Sequence, residues 1–373
     1  MSVIDEKTAV LPEGFRLVDP LAAPDWDGAL ANFPEATFFH TAAWARVLNS
    51  SYGYRPVYLT MMRGDRMTAA LPLMEVDSWL TGKRGVSLPF TDECPPLGVS
   101  DDPNAFKRLL QSALVYGQKR QWKYVECRGG RALLGNVPPS QTYFAHRLRL
   151  QKNEPSLFSG TDSSVRRAVR KAEQNNLVVE FSQGLDSLHT FYGLFCKTRQ
   201  RHGVPPQPFS FFANIHRHVL AKKLGWVVLA RHNGIPVAGS VFFHFGQSVI
   251  YKFGASDGKY QNLRANNLIM WEAIRRYARE GFSTLDFGRT SSSNEGLRRF
   301  KLSWGAEERA VEYIKYDLRK TQFVRNRNDK DGGLHFFYKF VPIVFSRAIG
   351  FLLYKHIAAF TILLDWDPLV NCT

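Results

Sequence analysis

The fifteen residues Asn294–Glu308 read NEGLRRFKLSWGAEE and follow STLDFGRT, a stretch with the pattern of a strand running into glycine. They hold six charges, two glycines and the pair Phe300-Lys301. A lysine fixed just after a strand can meet an anionic substrate or the oxyanion of a tetrahedral intermediate. Acyl transfer to an amine needs that stabilisation, together with a deprotonated nucleophile and a positioned donor. The competing reading is a solvated lysine beside Arg298 and Arg299. Asp286 and Glu295 are the nearest carboxylates that could take the proton of an attacking amine. Alternation in TLDFG sets Leu285 and Phe287 on one face and Asp286 on the other, which predicts an arginine partner for Asp286. Glu295 is expected to cap the following turn. No Cys/His or Ser/His arrangement points to a covalent intermediate.

Other candidates lie on neighbouring elements. Tyr251 and Lys252 fall in the strand-like SVIYKFGAS, where they either face a substrate or simply pack. Arg201 and His202 close the helical KTRQRHG, either contacting a phosphate or complementing the helix C-terminus. Arg264 opens a helix whose first turn offers free N–H groups to an anion, and Arg289 ends the TLDFGRT strand as a further substrate-binding candidate. Arg166, Arg167, Arg170 and Lys171 gather on one helix in SSVRRAVRKAEQNN, with Ser163 or Ser164 as the expected cap. They form either a track for a donor's RNA backbone or a solvated face.

The formal charge of +16 in 373 residues argues for an anionic partner: nucleic acid, a nucleotide-linked precursor or a phospholipid surface. Cys94, Cys127, Cys196 and Cys372 are widely spaced, so neither a metal site nor a disulfide framework is expected. The N-terminal MSVIDEKTAV lacks the pattern of a signal peptide, and no window has the length and apolarity of a spanning helix. A cytoplasmic protein is expected, with the inner-membrane surface as its one alternative location.

The elements that must hold these residues occur twice. PVYLTMMRGDRMTAALPLMEV reads as strand, turn and longer strand, followed by a short strand at RGVSLPF, a helix over 103–120 and the strand WKYVEC. GWVVLARHNGIPVAGSVFFHFG reads as a hairpin about Asn233-Gly234, followed by SVIYKFGAS, a helix over 263–280 and STLDFG. Each half opens with a helical segment, TAAWARVLNSSYG or LDSLHTFYGLFCKTRQRHG. The pattern predicts an α+β fold of two tandem domains, residues 1–152 and 153–320, each a mixed, mostly antiparallel sheet flanked by helices. A linker is expected over 150–162. Residues 321–373, which contain LHFFYKFVPIVFSRAIGFLLYKHIAAFTILL, are expected to be a helical extension. That tail either packs on the domains or lies on an anionic membrane with Phe345, Ile349 and Leu352 inserted.

Over roughly residues 15–318 the chain resembles the GNAT acyltransferase superfamily and, as a tandem pair, the Fem peptidyltransferases. SSVRRAVRKAEQNNLVVE, YKFGASDGKYQNLRANNLIMWEAIRRYAREGFSTLDFG and EGLRRFKLSWGAEE carry the likeness. FFHTAAWARVLNSSYGYRP and LPFTDECPPLG resemble an exopolysaccharide- and exosortase-associated subgroup. The resemblance implies transfer of an aminoacyl or acyl group to an amine of a peptidoglycan or exopolysaccharide precursor. The co-substrate would be aminoacyl-tRNA or acyl-CoA, with no tightly bound cofactor. It places Phe300 and Lys301 at the active site, the lysine on phosphate-bearing substrate, and a tyrosine such as Tyr251 facing the precursor. Two departures stand out: GKYQNLRANN lacks the paired glycines of the acetyl-CoA pyrophosphate loop, and no heptad insertion is present. A non-catalytic scaffold or nucleic-acid-binding protein that keeps the fold is the alternative.

Overall fold

The computed structural model describes residues 12–99, 102, 104–325 and 341–356. Among these, one compact unit takes 12–143 with 310–325 and 353–356, and the other takes 144–309 with 341–352. The division therefore falls inside a strand rather than in the 150–162 segment, and that segment is itself partly helical.

The first unit begins with β1 (Phe15–Val18), α1 (Trp26–Leu30) and α2 (Ala42–Tyr52). Thr41 caps α2 by accepting from the Trp44 amide, and Gly53 ends it in the left-handed region. Then come β2 (Arg55–Pro56), β3 (Tyr58–Arg63), β4 (Arg66–Leu71), β5 (Met74–Val76), β6 (Arg84–Val86), α3 (Ala105–Lys119) and β7 (Tyr124–Arg128). The long strand expected over MTAALPLMEV is two strands. Pro72, which has no N–H to give to a ladder, separates β4, paired with β3, from β5, paired with β6. The β6–β7 pair is parallel. Leu109, Leu110 and Ala113 of α3 join Val57, Leu59, Leu71 and Val125 in this unit's core.

The second unit is built on β8 (Gln141–Arg149), α4 (Glu154–Ser159), α5 (Ser163–Gln174), β9 (Val178–Ser182), α6 (Leu185–Arg201), α7 (Phe209–His218), β10 (Gly225–His232), β11 (Ile235–Phe245) and β12 (Ser248–Ser256). It continues with α8 (Ala265–Arg279), β13 (Thr284–Ser291) and α9 (Glu295–Leu302), followed by β14 (Glu307–Asp317), which carries the chain back to the first unit, and β15 (Gln322–Phe323). Its strand order is β8-β13-β12-β11-β10-β9. The β9 to β12 neighbours are antiparallel, and β12 with β13 is parallel. The β10–β11 hairpin closes through Asn233 (φ 50°) and Gly234 (φ 78°), two consecutive left-handed residues of the kind a tight hairpin needs. Val165 and Val169 of α5 and Leu268, Ile269 and Ile274 of α8 bury against Val228, Phe242, Val249 and Leu285 of the sheet.

Local caps differ from expectation at two places. Asp162, not Ser163 or Ser164, is the N-cap of α5, and no side chain there accepts from the helix. Asn294, not Glu295, caps α9, its side chain accepting from the Leu297 amide at 3.1 Å. An Asn side chain reaches back to the N3 amide, whereas the first-turn Glu295 faces Arg299 at 3.3 Å. In the tail, α10 (Ile343–Tyr354) is followed as far as His356, so only part of the expected tail helix lies within the described residues.

Candidate active site

β12 and β13 pair over three residues, Ser248–Ile250 with Thr284–Asp286. Both strands run on, to Ser256 and Ser291, beyond the last ladder pair between them. On its other edge β12 stays paired with β11 as far as Ser256. An antiparallel ladder uses the N–H and C=O of alternate residues on one edge. Alternate residues over 251–256 therefore turn these groups toward the side where the parallel ladder has stopped. Lys252 is the extra residue of a bulge, because Val241 faces Phe253 while Phe242 faces Tyr251. A bulge re-aims a backbone amide and its side chain.

Past β12 the chain turns directly into α8. Asp257 accepts from the Lys259 amide at 3.1 Å, a 3₁₀ turn occupies Gly258–Leu263, and Arg264 (φ 59°) starts the helix from the left-handed region. A small recess opens here, lined by Val237, Ala238, Ser256, Tyr260, Gln261, Arg264, Ala265 and Asn266. Arg201 reaches the same place from the end of α6, giving Nη1 to the Ser256 carbonyl at 3.2 Å. Its Nη1 lies so close to Gly258 that a Cβ there would approach it to 3.0 Å. Lys197 pairs with Asp257 at 2.8 Å. Burial works against ionisation of Asp257, yet Lys197 and the Lys259 amide hold its carboxyl below the usual range. Two arginines from separate elements thus reach the start of α8, where the helix dipole also favours an anion, an arrangement suited to phosphate oxygens.

β13 carries the second cluster. Gly288 (φ 73°) bends the strand two residues past the ladder, and Asp286 Oδ1 accepts from its amide at 2.8 Å. Lys301 is 1% exposed and donates to the carbonyls of Gly288 at 3.1 Å and Arg289 at 3.3 Å. The reason is the geometry of α9. Leu297, Lys301 and Trp304 recur at steps of four and three, so all three point inward and each is 1% exposed. Gly305 (φ 79°) then turns the chain where a Cβ would stand 2.9 Å from the Gly160 carbonyl oxygen. The reading of Lys301 as a solvated surface lysine is thereby excluded. Its ammonium braces the bent end of β13.

Beside it stands a group that motif reading passed over. His146 of β8 is fully buried and gives Nε2–H to Glu308 at 2.9 Å, while its Nδ1 is buried with no hydrogen-bond partner among the described residues. Glu308 takes two bonds from Arg298, at 2.9 and 2.7 Å, and the Arg298 guanidinium lies 3.9 Å from the Phe144 ring centroid. Burial, reinforced by the Lys301 charge, lowers the His146 pKa to about 4 against the pull of Glu308. The imidazole is therefore neutral at pH 7. Arg298 holds Glu308 below the usual carboxylate range. Asp286 has the expected arginine partner, Arg147 at 3.6 Å.

The remaining candidates are placed as follows. Phe300 packs at the core edge, its ring 6.2 Å from that of Trp304, and Arg289 is 7% exposed. Tyr251 is buried in the core against Phe242, and Lys252 lies over Phe253. On α5, Arg166 gives Nη1 to the Ser159 carbonyl at 3.0 Å and also to Thr161, so it serves the end of α4. Arg167, Arg170 and Lys171 are exposed. The structure thus brings Arg201 and Arg264 together, and Arg289 and Lys301 together. No group of three or more His, Cys, Asp or Glu side chains placed to hold a metal occurs among the described residues.

A family model for the acetyltransferase (GNAT) domain matches residues 159–307, which contain α5 to α9 and both clusters apart from His146 and Glu308. Over 85 residues the chain is 33% identical to the lipid II:glycine glycyltransferase of Staphylococcus haemolyticus. That match covers 21% of this chain and about a fifth, 20%, of the relative's length. Among solved structures, FemX superposes with a TM-score of 0.63 at 15% identity, over 77% of this chain and 94% of FemX. The tandem GNAT protein of the clavulanic acid biosynthesis pathway superposes with a TM-score of 0.52 at 10% identity, over 82% of this chain and 98% of its own. These likenesses identify a GNAT fold, with a tandem arrangement like that of FemX and the clavulanic acid pathway protein.

Proposed function

We propose that this FemAB-type GNAT protein is an N-acyltransferase that moves an acyl or aminoacyl group from a phosphate-bearing carrier to an amine of a cell-envelope precursor. The observation that carries the reading is the divergence of β12 from β13 next to the Arg264 and Arg201 recess. In this reading the donor's phosphates lie at the first turn of α8, met by helix amides and the two guanidinium groups. The acyl arm then lies along β12, where backbone N–H groups turned away from β11 meet the developing oxyanion. The acceptor amine attacks the acyl carbonyl directly, and the carrier leaves as the tetrahedral intermediate collapses.

Lys301 is a positioning residue in this scheme. It holds the bend of β13 and so sets the width of the opening. The precursor class is supported by the glycyltransferase relative, and an exopolysaccharide amine belongs to the same chemistry. The exposed Arg167, Arg170 and Lys171 support a polyanionic donor such as aminoacyl-tRNA, while the recess itself suits any pyrophosphate-bearing donor, acyl-CoA included. The test is label transfer from charged tRNA and from acyl-CoA to amine-bearing envelope precursors. Transfer from one donor supports the proposal, and absence of transfer from both points to a scaffold that keeps the fold.

A further inference from the structure

α10 has two unlike faces. Ser346, Gly350 and Tyr354, spaced four apart, are buried, and at Gly350 a Cβ would come within 2.0 Å of the Pro206 carbonyl oxygen. The opposite face leaves large apolar side chains in solvent: Val344 is 74% exposed, Phe345 64%, Phe351 64% and Leu352 67%. Ala348 is exposed between them. At 100° per residue these five positions fall within an arc of about 120°, the width of an apolar stripe that would ordinarily be covered. Single exposed apolar residues are common, but four large ones on three turns are not.

The charge pattern says what covers them. From Gly332 to Leu364 the sequence has no Asp or Glu, yet it carries Lys339, Arg347 and Lys355. Arg347 and Lys355 are exposed on and just beyond α10, and the chain as a whole is +16. No described helix is long and apolar enough to cross a membrane.

We propose that the exposed face of α10 docks the protein on an anionic lipid surface. Val344, Phe345, Phe351 and Leu352 enter the acyl boundary, while Arg347 and Lys355 meet the headgroups. The inference rests on exposed residues and does not require the transferase reading. Its readout is binding alone, so its failure and the failure of that reading are distinguishable.

The experiment is co-sedimentation of the full chain with phosphatidylcholine vesicles, with and without about a third phosphatidylglycerol, an anionic fraction that sets the surface potential. Binding is expected to the anionic vesicles and to weaken as salt is raised. The double variant F351S/L352S is expected to lower partitioning at least about tenfold, because each substitution removes an inserted apolar side chain. Both positions are exposed, so unchanged thermal unfolding confirms that the variant folds. Three results would overturn the proposal. One is absence of binding by the unaltered chain, as would follow if its own C-terminal residues covered the stripe. Another is binding that ignores F351S/L352S. The third is an oligomer that the double variant dissolves while vesicles capture neither form, which would assign the face to a second copy.

Discussion

Replacing Lys301 with methionine keeps an unbranched side chain of similar length on the inner face of α9 and removes the ammonium. The carbonyls of Gly288 and Arg289 then lose donors now at 3.1 and 3.3 Å. A buried acceptor left without a partner costs about 1–3 kcal/mol. Two of them, offset by the desolvation that a buried ammonium no longer incurs, give a net loss of about 2–4 kcal/mol. Urea unfolding monitored by circular dichroism measures it as a lower midpoint at unchanged slope. A second readout comes from His146, whose pKa the Lys301 charge helps to lower. In the variant that contribution is gone, and the pH dependence of stability flattens. Wild-type stability in Lys301→Met would refute the brace, since only a solvated lysine can be lost at no cost. Full stability with abolished transfer would instead make Lys301 a group that touches substrate.

Three further outcomes follow from the same cluster. Between the ordinary imidazole value of 6.5 and about 4, the unfolded chain takes up a proton that folded His146 refuses. Stability contributed by this residue is therefore present above pH 6.5 and is lost as pH falls toward 4, by about 3 kcal/mol in all; unfolding midpoints of wild type and His146→Gln should converge over that range. Gly288→Ala places a Cβ on a residue at φ 73° and should cost about 1–2 kcal/mol in the same assay, with reduced transfer if the bend of β13 sets the opening. Arg298→Ala removes the two guanidinium bonds to the Glu308 carboxylate and leaves it His146, so the Glu308 pKa should rise toward its ordinary value, measurable by carbon-13 titration of the carboxyl.

Much of the fold is visible in the sequence because local signals agree with tertiary packing. The Asn233-Gly234 turn, SVIYKFGAS as a strand and the left-handed Gly53 after α2 all coincide with observed elements. Where a single residue decides, local reading is weaker. Pro72 divides one apparent strand between two sheets, and the departure of β12 from β13 after Ile250 has no local sequence mark, because it depends on what fails to pair. The bulge at Lys252 is hidden for the same reason.

The site was legible in part. GLRRFK stands out in the sequence, but its lysine is buried because Leu297 and Lys301 sit four apart on the inward face of α9, with Trp304 continuing that side just past the helix end. Arg201 and Arg264 meet through the return of the chain from β12 to α8, a tertiary fact. His146 gave no local signal. It is a lone histidine in TYFAHRLRL whose partner lies on β14, far along the chain.

The most direct test of the account is the Michaelis constant for the donor in Arg264→Gly. Glycine accepts φ 59° without strain, so this substitution removes the guanidinium while leaving the start of α8 in place. If the recess binds donor phosphate, transfer persists at saturating donor and the donor KM rises at least about tenfold, the equivalent of one charge-assisted hydrogen bond. An unchanged donor KM with normal transfer would show that phosphate binds elsewhere and would contradict the placement of the site.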